Sequence, residues 1–247
     1  MAKIRIKGDT SGYVDLDVPN AASSSTLDLD QVPQKNVANT FTTGQNITVP
    51  TNGGLTIQAG TNGSASLRLK NDATDWDVNC QTTDNFAIYN HTTGGNRLGI
   101  TPAGIVTTPN QPAFFAHRNG GNYTETTATA KVYIDGTRFN HGGHYDTTNN
   151  RFVAPVDGVY QFNASVNCYY ISSGYQLRAF LYVNGSNYVV GDSFHSANNS
   201  HDLVASVSHA INLSANDYVE VWSFSDDGSR GFSSSAVWNT FSGYLLG

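Results

Sequence analysis

Six pairs of apolar residues recur between residues 47 and 100, and this pattern restricts the fold more than any other feature of the 247-residue chain. In each pair one residue separates the two apolar side chains, and turn-forming Gly, Asn, Asp and Thr fill the gaps. The pairs are Ile47/Val49, Leu55/Ile57, Leu67/Leu69, Trp76/Val78, Phe86/Ile88 and Leu98/Ile100. A spacing of about ten residues with this alternation is typical of many short β-strands.

Strands this short do not stabilise a core within one chain. Burying the two or three apolar side chains of a six-residue strand contributes roughly 3–9 kcal/mol. Fixing the backbone of that strand costs roughly 6–12 kcal/mol. We therefore expect identical chains to wrap around a common axis, each supplying one sheet with its apolar pairs turned inward. A β sandwich formed by a single chain across residues 37–108 is the alternative.

The first 36 residues predict a separate small β module. A strand of alternating basic residues, a Gly-containing turn and a strand of alternating acidic residues form a hairpin pattern. The basic residues are Lys3, Arg5 and Lys7, and the acidic residues are Asp15 and Asp17. Opposite charges on paired strands contribute roughly 0.2–1 kcal/mol per pair. Because a few short strands are marginal in water, this module is expected to bind a partner.

The segment Arg151–Phe162 predicts two short strands broken by a turn at Pro155 and Asp157–Gly158. Further blocks accompany it in a fixed order, at residues 138–146, 181–185 and 241–246. Together these blocks resemble the globular head of complement component C1q, a trimeric jelly-roll family related to tumour necrosis factor. The resemblance covers nearly all of residues 113–247.

The C1q resemblance implies a homotrimer with aromatic residues packed along its threefold axis. Tyr160, Phe162 and Tyr244 would then lie either in the core of each subunit or on that axis. The resemblance also favours a strand at residues 203–213, where the apolar pattern alone fits both a helix and a strand.

Two other regions resemble parts of tailed-bacteriophage particles. The opening residues 3–13 and the following Val-Pro-Asn-Ala-Ala resemble the start of many virion-attached proteins. Residues 37–110 resemble the β-prism shaft of phage fibres, and residues 98–106 resemble the unit that closes such segments. These resemblances imply an anchoring module at residues 1–36, which would use Lys3, Arg5, Lys7, Asp15 and Asp17, then a shaft at 37–110 and a head at 111–247.

Charge and motifs exclude several functions. A net charge of −6 without a basic cluster argues against nucleic acid. Membrane insertion is not expected either, since no apolar run is long enough to span a bilayer. No phosphate loop, nucleophile elbow or metalloprotease motif is present, so we expect no enzyme and no cofactor. Cys80 and Cys168 are expected to be buried free thiols.

Two short clusters of polar residues offer metal-ligand chemistry. The turn Asp226–Ser229 could bind calcium, as some heads of the C1q family do. His141, His144 and Asp146 could supply three ligands, but the intervening Gly142–Gly143 leaves their geometry loose. A hydrogen-bonded turn is the simpler interpretation of both clusters, and no metal site is predicted.

Four tyrosines in predicted loops suggest a binding surface: Tyr169, Tyr170, Tyr175 and Tyr188. A tyrosine ring is suited to stacking on a sugar or to contacting a protein, although strand ends with one buried side are the alternative. The sequence thus predicts an all-β, homotrimeric fibre on the exterior of a phage virion, joined to a capsid or tail protein, whose head binds a glycan or protein of the host surface. A capsid decoration protein and a bacterial surface or spore-coat adhesin are the alternatives.

Overall fold

The computed structural model describes residues 3–7, 13–17, 57–61, 63–197 and 201–247, and every regular element in these ranges is a β-strand. The all-β class predicted from the sequence is confirmed. The chain divides into two compact units, Met1–Thr56 and Ile57–Gly247. No helix in the described ranges is long and apolar enough to cross a lipid bilayer. The module boundaries at residues 36 and 110 stay predictions.

The first unit contains an antiparallel hairpin of β1 (Lys3–Lys7) and β2 (Tyr13–Asp17). Its backbone register pairs Lys3 with Asp17 and Arg5 with Asp15. Basic and acidic positions are therefore directly opposite one another, as the alternation predicted. Several apolar positions lie outside the described residues: the alternating Leu and Asp at residues 27–30, the pair Ile47/Val49, and Leu55.

Residues 65–107 form one five-stranded antiparallel sheet with strand order β3-β4-β5-β6-β7. Its strands are β3 (Ala65–Lys70), β4 (Asp75–Cys80), β5 (Phe86–Asn90), β6 (Asn96–Ile100) and β7 (Val106–Thr107). The four apolar pairs between residues 67 and 100 all lie on these strands. Residues 65–107 therefore form one sheet, and residues 37–56, the rest of the segment for which a sandwich was the alternative, lie outside the described residues.

The register of this sheet places its apolar residues on one face. Directly paired residues share a face, and the pairing aligns Leu67, Val78, Ile88 and Leu98 across four strands. A second row aligns Cys80, Phe86, Ile100 and Val106. We call the surface formed by Leu67, Leu69, Trp76, Val78, Cys80, Phe86, Ile88, Leu98, Ile100 and Val106 the apolar sheet face.

Residues 113–245 form a jelly roll of two packed sheets. The strands are β8 (Ala113–His117), β9 (Tyr123–Glu125), β10 (Thr129–Lys131), β11 (Gly136–His141), β12 (Tyr145–Asp146), β13 (Arg151–Val153), β14 (Gly158–Ile171), β15 (Gln176–Val183), β16 (Ser186–His195), β17 (His201–Leu213), β18 (Tyr218–Ser225), β19 (Arg230–Phe232) and β20 (Thr240–Leu245). One sheet has the order β11-β8-β20-β14-β19-β9 with β17 also paired to β14. The other has the order β12-β13-β18-β15-β16 with β10 paired to β18.

The segment Arg151–Phe162 crosses from one sheet to the other. Its first strand, β13, pairs with β18, whereas its second, β14, pairs with β17 and β20. The turn between them is therefore a corner of the sandwich and does not form a hairpin. Three of its rings meet inside, because Phe152 lies 5.3 Å from Tyr160 and 5.4 Å from Phe162 between ring centroids.

Aromatic side chains fill the space between the two sheets. Phe114 stacks on Tyr145 at 4.9 Å and on Phe152 at 5.1 Å. Burial of each such ring contributes about 1.5–3 kcal/mol. The hydroxyl of Tyr145 donates to the carbonyl of Ile134 at 2.7 Å, so the buried polar atom is paired.

Strand β17 resolves the ambiguous segment at residues 203–213. It runs antiparallel to β14 along an almost continuous register, and Ala205, Val207, Ile211 and Leu213 point into the core. Asn-Gly and Asp-Gly pairs are typical of tight hairpin turns. Asn184–Gly185 forms such a turn, since both residues have positive φ, as a two-residue hairpin between β15 and β16 requires. By contrast, Asp135–Gly136 is not a hairpin turn. The carboxylate of Asp135 instead accepts hydrogen bonds from the amides of Asn119 and Gly120.

Candidate functional site

A cavity of about 380 Å³ opens at one end of the jelly roll. Its lining residues are Asn122, Asn167, Tyr169, Tyr170, Asp202, Ser233 and Trp238. They come from the end of β14, the start of β17 and the loops before β9 and after β19. We call this the distal cavity. Two of the four tyrosines predicted to form a binding surface, Tyr169 and Tyr170, line it.

The distal cavity lies far from the point where the chain enters the head. Ala113, the first residue of the jelly roll, pairs with Tyr244, which pairs with Gln161 of β14. Tyr169 lies eight residues further along that strand. At about 3.3 Å per residue the separation along the sheet is about 26 Å. A head attached through the segment before residue 113 would therefore present this cavity at its outer end.

Gly231 fixes the position of the Tyr169 ring. The two residues are cross-strand partners on β14 and β19. A Cβ atom at Gly231 would lie 2.2 Å from Cε2 of Tyr169, so the ring occupies the space that any other residue would fill. The strand β19 is itself held by the fully buried Arg230, whose guanidinium donates to the carbonyl of Thr127 at 2.7 Å.

A bulge at the end of β14 turns Tyr170 outward. The register with β17 shifts between Cys168 and Ile171, and Tyr170 has a positive φ of 64°. As a result Tyr170 is 67% exposed, while its ring contacts that of Tyr169 edge-on at 4.7 Å. Trp238 supplies a further partly exposed ring from the loop before β20.

Asn167 is the unusual residue of this cavity. It is only 1% exposed, and neither polar atom of its side chain has a hydrogen-bond partner among the described residues. Its backbone amide donates to Oδ1 of the buried Asn239 at 2.8 Å. Leaving a buried amide side chain unpaired costs about 1–3 kcal/mol. Such a residue destabilises the fold unless something else, such as a ligand, pairs with it.

Asp226 and Asp227 hold the loop that follows Tyr170. The carboxylate of Asp227 accepts a hydrogen bond from the amide of Ser172 at 2.6 Å, and that of Asp226 accepts one from the amide of Gln176 at 2.8 Å. The hydrogen bond from the Gln176 amide holds the pKa of Asp226 below its ordinary value. These carboxylates, which the sequence offered as calcium ligands, thus organise the loop between β14 and β15.

Asp146, another candidate metal ligand, also has local partners. Asp146 accepts hydrogen bonds from the side chain and amide of Asn149 and from the amide of Thr148. Desolvation lowers the pKa of His144. Across the described part of the chain, no group of three or more His, Cys, Asp or Glu side chains is placed to hold a metal ion.

The remaining predicted surface residues lie away from the cavity lining. Tyr175 is 41% exposed in the loop before β15, and Tyr188 is 54% exposed on β16, which is a strand and not the predicted loop. A receptor-binding role for these tyrosines stays a prediction. The structure describes Lys3, Arg5, Lys7, Asp15 and Asp17 only as paired backbone positions, so their anchoring role also stays a prediction.

The aromatics expected in the core or on a trimer axis separate into two groups. Tyr160 and Phe162 are fully buried between the sheets of one subunit, so they lie in the core and cannot also line an axis. Tyr160 donates its hydroxyl to the carbonyl of Val156 at 2.8 Å. Tyr244 lies on the outer face of its sheet and is 47% exposed, so an axial role for it stays a prediction.

Much of the apolar sheet face is exposed in the part of the chain that the structure describes. Leu67, Leu69, Phe86 and Val106 are 39–60% exposed although their side chains are large and apolar. Cys80 is exposed on the same face, contrary to the expectation that it would be buried, whereas Cys168 is buried as expected. The reason is that, among the residues that the structure describes, no second sheet covers this side.

Sequence reasoning missed five residues of the distal cavity: Asn122, Asn167, Asp202, Ser233 and Trp238. Trp238 carried a usable signal, because a lone tryptophan follows the polar run Ser233–Ser235. Asn167 carried none, because it fits the ordinary polar positions of an alternating strand.

A sequence model of the C1q domain matches residues 113–246, more than half of the chain. The chain belongs to the C1q domain family. C1q-type domains are commonly trimeric and generally non-enzymatic. The match begins at β8 and ends after β20, so it covers the jelly roll described above.

Several known proteins are similar to this C1q domain protein. The uncharacterized protein YqcC of Bacillus subtilis is 30% identical over 123 residues, which are 46% of this chain and 33% of that protein. The chain therefore spans about a third of the length of that curated relative.

Among solved structures, the globular domain of zebrafish complement 1qA is 21% identical, with a TM-score of 0.39 over 56% of this chain and 98% of that one. Eiger TNF from S. frugiperda is 14% identical, with a TM-score of 0.42 over 56% and 94% of the two chains. Murine APRIL at pH 5.0 is 8% identical, with a TM-score of 0.43 over 55% and 99%.

Proposed function

We propose that this chain is a non-enzymatic, homotrimeric fibre on the exterior of a tailed-phage particle. Residues 1–36 anchor it to a capsid or tail protein, the sheet of residues 65–107 forms the shaft, and the C1q-type head contacts a glycan or protein on the host cell. No cofactor takes part in this function.

The uncovered apolar sheet face is the observation that carries the proposal. Contiguous apolar surface of this kind is rare on monomers and marks an interaction site. Covering the exposed half of Leu67, Leu69, Phe86 and Val106 would contribute about 1 kcal/mol for each side chain. Three copies of the sheet arranged around an axis would bury the face against itself, and a trimeric head provides the matching symmetry.

Electron microscopy of particles of the encoding phage, with the chain labelled by an antibody to its head, tests the proposal. We expect label at the tips of fibres, and we expect purified protein to reduce adsorption of the phage to host cells. Absence of the chain from particles would refute the proposal. Dense label over the capsid would instead support a decoration protein, in which the same trimer reinforces the shell.

A bacterial surface or spore-coat adhesin is the second candidate, because the relative in Bacillus subtilis is a bacterial protein. Such an adhesin would use the same trimer and head. Fractionation of producing cells distinguishes the two functions. An adhesin would be found on the surface of cells that make no particles, whereas a fibre would co-purify with particles.

A further inference from the structure

We infer that the distal cavity binds one neutral sugar unit of a host-surface glycan. The inference rests on the proposed function, because it names the ligand class of the surface through which the head would contact the cell. Three properties of the cavity lead to it: an unpaired buried amide, exposed aromatic rings and a single acidic group.

Asn167 provides the first argument. Its amide nitrogen is a donor and its carbonyl oxygen is an acceptor, and both lack partners among the described residues. A sugar hydroxyl both donates and accepts, so two adjacent hydroxyls can pair with both atoms at once. A purely apolar ligand would leave the amide unpaired, and a single ion would satisfy only one of its two atoms.

The aromatic rings provide the second argument. Trp238 is 39% exposed and Tyr170 is 67% exposed at the same cavity. Rings of this kind give a large rigid apolar surface with one polar group each, on which the C–H face of a sugar ring can stack. The volume of about 380 Å³ is within the range of small-molecule sites and is large enough for one sugar unit.

Charge provides the third argument. Asp202 is the one charged side chain among the described residues that line the cavity. A carboxylate accepts strong hydrogen bonds from hydroxyl groups, whereas it repels a second carboxylate. The cavity therefore favours neutral hexoses and N-acetylhexosamines over sialic and uronic acids.

Saturation-transfer NMR and calorimetric titration of the purified full chain test the inference. The probes are the methyl glycosides of glucose, galactose, mannose, rhamnose and N-acetylglucosamine, with N-acetylneuraminic and glucuronic acids for comparison. We expect at least one neutral glycoside to bind with a dissociation constant on the order of 1 mM. The inference is overturned if none transfers saturation at tens of millimolar, or if the acids bind as tightly.

Variants separate a binding role of Asn167 from a structural one. Asn167→Ala should weaken sugar binding by about tenfold or more. It should leave the melting temperature unchanged or higher, since it removes a buried group that has no partner among the described residues. Trp238→Ala should also weaken binding, whereas Phe139→Ala, which removes an exposed aromatic side chain outside the cavity lining, should not. A lower melting temperature with unchanged binding in Asn167→Ala would contradict the inference.

Treatment of host cells distinguishes failure of this inference from failure of the proposed function. Periodate, which cleaves the vicinal diols of glycans, should abolish binding of the purified chain to host cells, whereas protease should not. If only protease abolishes binding, the sugar inference is wrong but the head still contacts the cell. If untreated cells bind no protein, the proposed host contact itself fails.

Discussion

Asn167 and Gly231 lie close together, near the ends of two paired strands, and affect stability in opposite ways. Asn167 buries an amide that has no partner among the described residues, and Gly231 leaves room for the ring of Tyr169. Asn167 therefore lowers the stability of the fold, whereas Gly231 raises it by letting the Tyr169 ring pack against β19. A binding role explains both residues, because Gly231 sets the position of the Tyr169 ring and Asn167 makes the cavity polar.

Gly231→Ala should destabilise the head by about 1–3 kcal/mol, because the new Cβ would overlap the Tyr169 ring and force it to move. Gly228→Ala is the matched control, since nothing lies within 4 Å of a Cβ at that position. Its effect should be within about 0.5 kcal/mol. Urea denaturation of both variants measures the difference, and equal stabilities would contradict the described packing of Tyr169.

Asp226 should stabilise the loop between β14 and β15 in a pH-dependent manner. Its pKa in the folded chain is below the ordinary value of 3.8, chiefly through the hydrogen bond from the Gln176 amide. The stabilisation is therefore complete above the unfolded-state pKa and disappears as the pH falls through the folded-state pKa.

Melting temperatures of wild type and Asp226→Asn should accordingly differ above about pH 5 and converge in stronger acid. The exposed Asp72→Asn serves as the control. A constant difference between wild type and Asp226→Asn down to pH 2 would show that the carboxylate charge is not the cause.

At the scale of strands and sheets, local alternation was sufficient to locate most elements. The pairs from Leu67 to Ile100 and the hairpin turn at Asn184–Gly185 follow from side-chain periodicity and backbone conformation. Local alternation did not predict which strands pair with one another. The strands flanking the corner at residues 154–157 belong to different sheets, and long-range register, which no local pattern specifies, decides this.

Local sequence patterns predicted even less of the distal cavity. Tyr169 and Tyr170 were predictable because tyrosines next to a predicted turn are visible in the sequence. Asn167 was not, since its environment depends on Asn239, which is 72 residues away. Tyr188 belongs to a strand because β16 pairs with β15 along most of its length.

The two faces of the five-stranded sheet should respond differently to charge. Leu67→Lys places a charge on the apolar sheet face and should weaken the trimer, so that it dissociates at protein concentrations at which the wild type stays assembled, because burying an unpaired ammonium is strongly unfavourable. Ser66→Lys is the matched control on the opposite face one residue away. Size-exclusion chromatography with light scattering measures both masses. Dissociation by neither variant, or by both, would show that the apolar sheet face is not the interface.

At the scale of the whole molecule, the two cysteines report on assembly. Cys80 lies on the apolar sheet face, and Cys168 is buried in the head, where desolvation raises the pKa of its thiol to about 12. Cys168 should therefore remain an unreactive neutral thiol in any assembly state. Cys80 should react only when the apolar sheet face is free.

Native protein should thus react slowly with a thiol reagent, and the Leu67→Lys variant should expose one reactive thiol per chain. Cys80→Ser in that variant should remove the reaction, which identifies the site. Rapid modification of Cys80 in the wild-type protein would mean that the apolar sheet face is open in solution.

The proposed fibre requires that the chain assembles as a homotrimer, and sedimentation equilibrium of the purified chain at micromolar concentration measures its mass in solution. We expect a single species of about 80 kDa, three times the 26.5 kDa of one chain, with no change on dilution. A species of 26.5 kDa with the head folded would contradict it.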